Sequence, residues 1–91
     1  MTHAIVLIQA ERAAIERLGG QLADVDGVAE AYSVTGEWDF VAIVHVARHE
    51  LLADVVAGGI GQADGVVRTQ TMVAFEAFSR HDLEALFSLG Q

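Results

Sequence analysis

Two short segments of the chain are apolar at almost every position, and they limit the folds that it can adopt. They cover residues 4–8 and 40–47, and His45 is the one polar side chain in them. Both segments are rich in β-branched residues, which favours strands over helices. Because side chains along a strand alternate between the two faces of a sheet, each of these strands needs apolar cover on both faces.

Turn signals and helical spacing predict the elements around these two strands. Asp26 with Gly27, residues 36–39, and Asp64 with Gly65 predict turns. The other predicted elements are a helix over residues 11–23, strands over 28–35 and 66–78, a second helix from His49 or Glu50 to the glycines at 58–61, and a short helix over 82–89. The order is βαββαβ plus a tail helix, the α+β ferredoxin-like pattern. The chain is predicted to be one domain over residues 1–91, with its core in residues 3–79.

The two apolar strands also predict how the protein assembles. In this topology the first and third strands lie at the centre of the sheet, and right-handed crossovers place both helices on the same face. The other face then presents apolar side chains to water, which marks an interaction surface. We therefore expect a homodimer in which two sheets pack face to face, a two-sheet sandwich of the dimeric α/β barrel type.

The charge and the missing residue types exclude several classes of function. The formal net charge is −8, from 13 acidic and 5 basic residues, and there is no cysteine. Such a chain neutralises few phosphates, so we expect no direct nucleic-acid binding, and the charge disfavours anionic membranes. Without cysteine there is no disulfide, thiolate nucleophile or cysteine zinc site. No apolar run exceeds 5 residues, and the N-terminus has no signal-peptide pattern, so a cytoplasmic protein is expected.

Two motifs in the chain have the residues and the spacing of a known family. Residues 31–40 read AYSVTGEWDF, which is similar to the hairpin V-T-G-x-[YFW]-D-hydrophobic, and Gly27, Val28 and Tyr32 fit the preceding strand entry G-V-x-x-x-Y. Residues 64–71 read DGVVRTQT, which looks like the entry G-V-x-R-T-x-T into a last strand. Over residues 3–79 the chain thus resembles the effector-binding domain of Lrp/AsnC transcription regulators, the RAM (regulation of amino-acid metabolism) domain.

The resemblance implies amino-acid sensing and assembly. In that family the domain forms two-sheet dimers, often grouped into larger rings such as octamers or decamers, with small effectors bound between dimers. Full-length members also carry a helix-turn-helix domain, for which this chain has no room, so we expect a stand-alone form. The family's DNA-binding role is therefore not carried over. Modulation of full-length Lrp/AsnC regulators by co-assembly is a further expectation.

The hairpin residues Gly36, Glu37, Trp38 and Asp39 are the first candidate ligand-binding group. Glycine allows a backbone N–H to approach a ligand closely. Asp39 could accept hydrogen bonds from an α-ammonium group, and Trp38 could wall the side-chain pocket. The alternative is a plain turn, in which Asp39 bonds to backbone and Trp38 packs on the sheet.

Thr69 and Thr71 are the second candidate group, because their hydroxyls share one face of the last strand and could receive a carboxylate or amide. In similar proteins this segment faces the effector pocket. The alternative is that threonines are good strand residues on a half-exposed edge. Arg68 and Gln70 belong to the opposite face, where Arg68 is interpreted as a solvent or interface charge.

Other patterns give no site. His45 and His49 are four residues apart, but the first ends a strand and the second begins a helix, so they share no face and no metal site is expected. The glycines at 59, 61 and 65 lack the dinucleotide-binding spacing and follow a helix rather than a strand. We therefore expect no catalytic residue, no metal and no cofactor.

Two other functions stay open on the residues alone. Small dimeric sandwiches of this fold also host cofactor-independent monooxygenases and haem-degrading enzymes, an analogy of fold in which Trp38 and the histidines are candidates. Such enzymes need an enclosed pocket between sheet and helices, which Ala14, Leu18, Leu52 and Val56 are expected to fill. A purely structural oligomerisation module would assemble in the same way without depending on a ligand.

Overall fold

A computed structural model describes residues 1–78, in which helices cover one face of a four-stranded sheet. The strands are β1 (Thr2–Ala10), β2 (Val28–Ser33), β3 (Phe40–Val46) and β4 (Val66–Ala74). A 3-10 turn at Arg12–Ala14 leads into helix α1 (Ile15–Ala23). The second helical segment, residues 49–62, has a 3-10 turn at His49–Leu51, a π-helix at Asp54–Gly59 and a 3-10 turn at Ile60–Gln62. The tail helix predicted over residues 82–89 lies outside the described residues.

The sheet has the strand order β2-β3-β1-β4, and all neighbouring strands are antiparallel. This confirms the ferredoxin-like prediction, with the two apolar strands at the centre. Val6 of β1 pairs with Ala42 of β3 and Thr71 of β4, whereas Ile5 pairs with Ile43 and Met72. Since the side-chain period of a strand is two, the even positions of β1 and β3 share one face and the odd positions share the other.

The even face carries the core, because both helical elements pack on it. The side chains of Val6, Ile8, Leu18, Leu22 and Ile60 are fully buried. Burying a side chain of this size stabilises the fold by about 1.5–3 kcal/mol relative to leaving it exposed. No polar or charged side chain among residues 1–78 is buried. The core of these residues, between the sheet and the helices, is therefore apolar and encloses no polar pocket.

The second helical segment is longer than its glycines predicted. It runs through Gly58 and Gly59 to Gln62. A Cβ on Gly59 would lie 2.4 Å from Val25 Cγ1, and the adjacent Ile60 is fully buried. Tertiary packing therefore overrides the low helix propensity of glycine here, and the close approach to Val25 requires a residue without a side chain.

The last strand is shorter than predicted. It ends at Ala74, whose partner on β1 is His3, near the first residue of that strand. None of the described residues 75–78 pairs with β1. Phe75, placed inside the strand by the sequence, is instead fully exposed. Among the helices of residues 1–78, none combines the length and apolar character needed to cross a membrane.

Candidate functional site

The connection between β2 and β3, residues 34–39, is fastened to β1 through Asp39. Val34 N donates to Asp39 O at 3.0 Å, which closes the hairpin, and Asp39 N donates to Ile8 O at 2.9 Å. The side-chain atom Asp39 Oδ2 accepts a hydrogen bond from Ala10 N at 2.8 Å, at the irregular position where the register of β1 shifts. Asp39 therefore holds the hairpin in place against the central strand.

The tip of this hairpin exposes opposite charges beside an aromatic ring. Gly36 adopts φ +105°, a backbone conformation that favours glycine. The Glu37 carboxylate lies 3.3 Å from the Arg68 guanidinium, which in turn lies 4.6 Å from the centroid of the Trp38 ring. Gln9 Nε2 donates to the backbone oxygen of Glu37 at 2.9 Å. The Arg68 and Glu37 side chains are 54% and 71% exposed, so their pairing adds at most about 1 kcal/mol and both charges remain accessible.

Thr69 and Thr71 lie on the other face of the sheet from this turn. Their cross-strand partners on β1 are Ile8 and Val6, which are buried under the helices. Arg68 belongs to the opposite face by the same alternation. Within one chain, the four hairpin residues 36–39 therefore lie together, whereas Thr69 and Thr71 lie on the opposite face of the sheet.

Thr71 lines an open groove between β4 and the second helical segment, whereas Thr69 does not. The groove has a volume of about 390 Å³, and its walls are mostly apolar. Its lining residues are His49, Glu50, Leu52, Ala53, Val56, Thr71 and Val73.

Arg68 is the residue at the hairpin that the sequence did not identify. Alternation along β4 separates it from the threonines, as the sequence predicted. Only the register across β1, in which Arg68 pairs with Gln9, shows that it reaches Glu37 and Trp38. No sequence signal gives that register, because it is set by the pairing of β1 with β4 along their whole length, from His3 with Ala74 to Gln9 with Arg68.

The face of the sheet that the helices of residues 1–78 leave uncovered is apolar at its centre and polar at its ends. We call it the open face, and by register it comprises His3, Ile5, Leu7, Gln9, Glu30, Tyr32, Val41, Ile43, His45, Arg68, Gln70, Met72 and Ala74. The central strands contribute aliphatic side chains that are only half-buried within one chain. A mixed surface of this kind, with an apolar middle and a polar rim, is typical of protein interfaces.

Tyr32 and Glu30 form a polar contact on the β2 side of the open face. The Tyr32 hydroxyl donates a hydrogen bond to Glu30 Oε2. This hydrogen bond to the carboxylate, with smaller effects of desolvation and of the Glu30 charge, raises the pKa of Tyr32 above its ordinary value of 10.0. The contact with Glu30 therefore favours the neutral phenol over the phenolate.

His3 and His45 face each other at the opposite end of the open face from the hairpin. They are cross-strand partners on β1 and β3, and their ring centroids are 4.2 Å apart with planes inclined by 42°. His49 instead lines the groove on the helix side. His45 and His49, four residues apart in the sequence, therefore lie on different faces of the sheet, as predicted. Within residues 1–78 no group of three or more metal-ligating side chains occurs.

Comparisons with known proteins agree with this architecture. A family model described as the Lrp/AsnC ligand binding domain matches residues 3–83. The crystal structure of TTHA0845 from Thermus thermophilus is 45% identical in sequence, covers 88% of this chain and all of its own (100%), and superposes with a TM-score of 0.82. A feast or famine regulatory protein from M. tuberculosis, solved in complex with L-methionine, is 25% identical, with coverages of 87% and 53% and a TM-score of 0.69.

A curated relative is a transcription regulator of greater length. It is an uncharacterized HTH-type transcriptional regulator of Pyrococcus furiosus, 38% identical over 55 residues, which are 60% of this chain. The matched part is 37% of the regulator, so the chain spans well under half the length of the curated relative it matches.

Proposed function

Because the chain belongs to the Lrp/AsnC ligand-binding domain family, we propose that it binds a free amino acid or a similar small zwitterion and self-associates through the open face. The complex of the M. tuberculosis relative with L-methionine supports this class of ligand. Through that assembly the domain would modulate transcription regulation of the Lrp/AsnC type, alone or together with full-length regulators.

Self-association is supported by the apolar centre of the open face. Ile5, Leu7, Val41 and Ile43 form two adjacent rows of aliphatic side chains that no helix of residues 1–78 covers. Each such side chain removed from water contributes in proportion to its area, at about 25 cal/mol per Å². A second copy related by a two-fold axis covers the face with the same residues, which gives a homodimer of two packed sheets.

The accessible pair of Glu37 and Arg68 is the observation that carries the proposed ligand site. A zwitterion presents an ammonium and a carboxylate a few ångströms apart, and this pair offers the complementary charges 3.3 Å apart. The ammonium would bind Glu37, the carboxylate would bind Arg68, and Trp38 would pack against the side chain. Gly36 leaves room for the ligand, and Asp39, already bonded to Ala10 N, would position the turn.

Thr69 and Thr71 enter the proposed site from a neighbouring dimer. They lie on the face opposite the hairpin turn of their own chain, so they reach a ligand only where two dimers meet. A ligand bridging two dimers stabilises their contact by mass action, and assembly in turn favours ligand binding. We therefore propose higher oligomers such as octamers or decamers whose population depends on the amino acid.

A non-enzymatic role agrees with the relatives. The Pyrococcus furiosus relative is a transcriptional regulator, and the buried Ala14, Leu18 and Leu52 occupy the space that an enzyme of this fold would use as its pocket.

Isothermal titration against each of the standard amino acids tests the ligand site. We expect at least one to bind, and Arg68→Ala and Glu37→Gln each to weaken binding by about tenfold or more, since each removes one charge-assisted contact. Matched controls are Arg48→Ala, which removes an exposed arginine paired with Glu50, and Glu16→Gln on helix α1. Absence of binding up to millimolar concentrations, or equal losses in the controls, would refute the site.

Light scattering tests the assembly separately. Ile43→Asp at the centre of the open face should convert the dimer to monomers, because it places a charge in the apolar contact. Val67→Asp is the control, since Val67 is 63% exposed and lies outside the open face. A monomeric wild type would contradict the dimer. An oligomer whose size ignores amino acids would instead support the purely structural module.

A further inference from the structure

The His3 and His45 side chains form a cross-strand pair that no other interaction explains. They sit directly opposite each other on two antiparallel strands, with ring centroids 4.2 Å apart. Neither imidazole makes a hydrogen bond or ion pair with another side chain in the part of the chain that the structure describes. His3 is half-buried and His45 is exposed, so both rings can be reached from solvent.

The groups around the pair leave it free to bind an ion. The partner of His3 on β4 is Ala74, which has no polar side chain. On the β2 side, His45 N donates to the backbone oxygen of Gly27, which follows Asp26, and Glu30 pairs with Ile43 and accepts the Tyr32 hydroxyl. The Glu37 and Arg68 charges lie at the other end of β1, beside Gln9, which is six residues from His3, or about 20 Å along an extended strand.

We propose that His3 and His45 bind one divalent transition-metal ion between their imidazole nitrogens. Directly opposed residues on antiparallel strands have Cβ atoms about 4.5–5.5 Å apart, so two imidazoles can converge on one ion at metal–nitrogen distances of about 2.0–2.1 Å. Neutral imidazole is a preferred ligand for zinc, copper and nickel, and not for magnesium or calcium. Water completes the coordination shell.

The rigid sheet makes this pair a better site than its two ligands alone suggest. β1 and β3 are the central strands, and each is hydrogen-bonded on both sides. The two Cα positions are therefore held before the ion arrives, and binding orders only two side chains. Both ligands come from one chain and lie at the end of the open face, away from its apolar centre, so the proposal does not rest on the proposed amino-acid site.

Calorimetric titration with Zn²⁺ and with Ni²⁺ tests the proposal. We expect wild type to bind one ion per chain at this pair, and His3→Ala and His45→Ala each to weaken that binding by about tenfold or more, since each leaves a single imidazole. His49→Ala is the matched control, because His49 lies on the helix side and its loss should leave the affinity unchanged. Mg²⁺ should give no heat at this site.

A spectroscopic measurement keeps the test valid if a histidine variant is unstable. With Cu²⁺ bound to wild type, electron paramagnetic resonance should show hyperfine coupling to two imidazole nitrogens, and His45→Gln should reduce this to one. Unchanged metal affinity in both the His3 and His45 variants, or an equal loss in His49→Ala, would overturn the proposal. Because the Glu37 and Arg68 variants should bind metal normally, failure here is distinguishable from failure of the amino-acid site.

Discussion

Gly65 is the position where one added methyl group should harm this fold most clearly. It lies in the turn before β4 with φ +99°, and a Cβ there would lie 2.3 Å from the Cβ of Ala14, a fully buried residue. The turn is also bonded to the start of the first helical region, since Glu11 N donates to Gly65 O at 2.8 Å. The contact leaves the chain little room to yield at this point.

Gly65→Ala should therefore have two separate costs. The left-handed backbone costs a residue with a side chain about 1–2 kcal/mol, and overpacking against Ala14 adds about 1–3 kcal/mol. Gly36→Ala is the matched comparison, because Gly36 has φ +105° but nothing lies within 4 Å of its Cβ position. It should show the backbone cost alone. The expected difference between the two variants is the packing cost, about 1–3 kcal/mol.

Urea unfolding of both variants at one protein concentration measures this difference. With a slope of about 1–2 kcal/mol per molar urea, the midpoint of Gly65→Ala should lie about 0.5–3 M below that of Gly36→Ala. The fixed concentration removes any contribution of association to the comparison. Equal midpoints would refute the close packing of the turn on Ala14.

Three further predictions concern single contacts. Asp39→Ala removes the acceptor for Ala10 N, and urea unfolding should show a loss of about 1–3 kcal/mol because a part-buried donor is left without a partner. Glu30→Gln replaces the charged acceptor of the Tyr32 hydroxyl with a neutral and weaker one, so the absorbance change of phenolate formation should occur at lower pH than in wild type, and the chain has 1 tyrosine to report it. Gly20→Ala should raise the free energy of unfolding by about 0.5–1 kcal/mol in the same urea assay, since the site is helical and open.

Each of these predictions has its own control. Asp64→Ala removes an acid that is 94% exposed and paired with Arg17, and it should change stability by less than about 0.5 kcal/mol. Glu16→Gln should leave the tyrosine titration unchanged. Gly19→Ala should gain less than Gly20→Ala, because its Cβ would lie 3.3 Å from Phe40 Cε1. If a control variant changed the measured property more than the variant it is paired with, the interaction assigned to that variant would be refuted.

The sign of the pH effect follows from the direction of the Tyr32 shift. A raised pKa in the folded state means that folding favours the neutral phenol. The stabilising effect of the bond to Glu30 is therefore fully present below the unfolded pKa and is lost as the pH rises through the folded pKa. In Glu30→Gln this loss of stability at alkaline pH should shrink, as measured by unfolding at a series of pH values.

The helix-covered core was predictable because its signals are local. The periodicity that marks Leu18 and Leu22 on one side of a helix also marks them as buried, and both are fully buried. The boundaries were less predictable, because they depend on partners. β4 ends at Ala74, where its ladder with β1 ends at the pair with His3, and the second helical segment continues past Gly59 because that glycine packs on Val25.

The candidate site was predictable as a list of residues and not as an arrangement. The hairpin motif identified Gly36, Glu37, Trp38 and Asp39, and the structure keeps these together at one end of the sheet. It also shows that Asp39 Oδ2 is bonded to the backbone of β1 and that Arg68 joins the turn. Such assignments require the registers of β1 with β3 and with β4, which residues far apart in the chain decide together.

The sequence by itself determined that two strands are apolar on both faces, that the elements follow the βαββαβ order, and that both crossover helices lie on the same face of the sheet. These are consequences of side-chain alternation and helical period, which act over a few neighbouring residues. Only the tertiary structure decided which side chains from different strands meet, such as His3 with His45 and Arg68 with Trp38. The reason is that cross-strand contacts depend on register, and register is set by packing across the whole sheet.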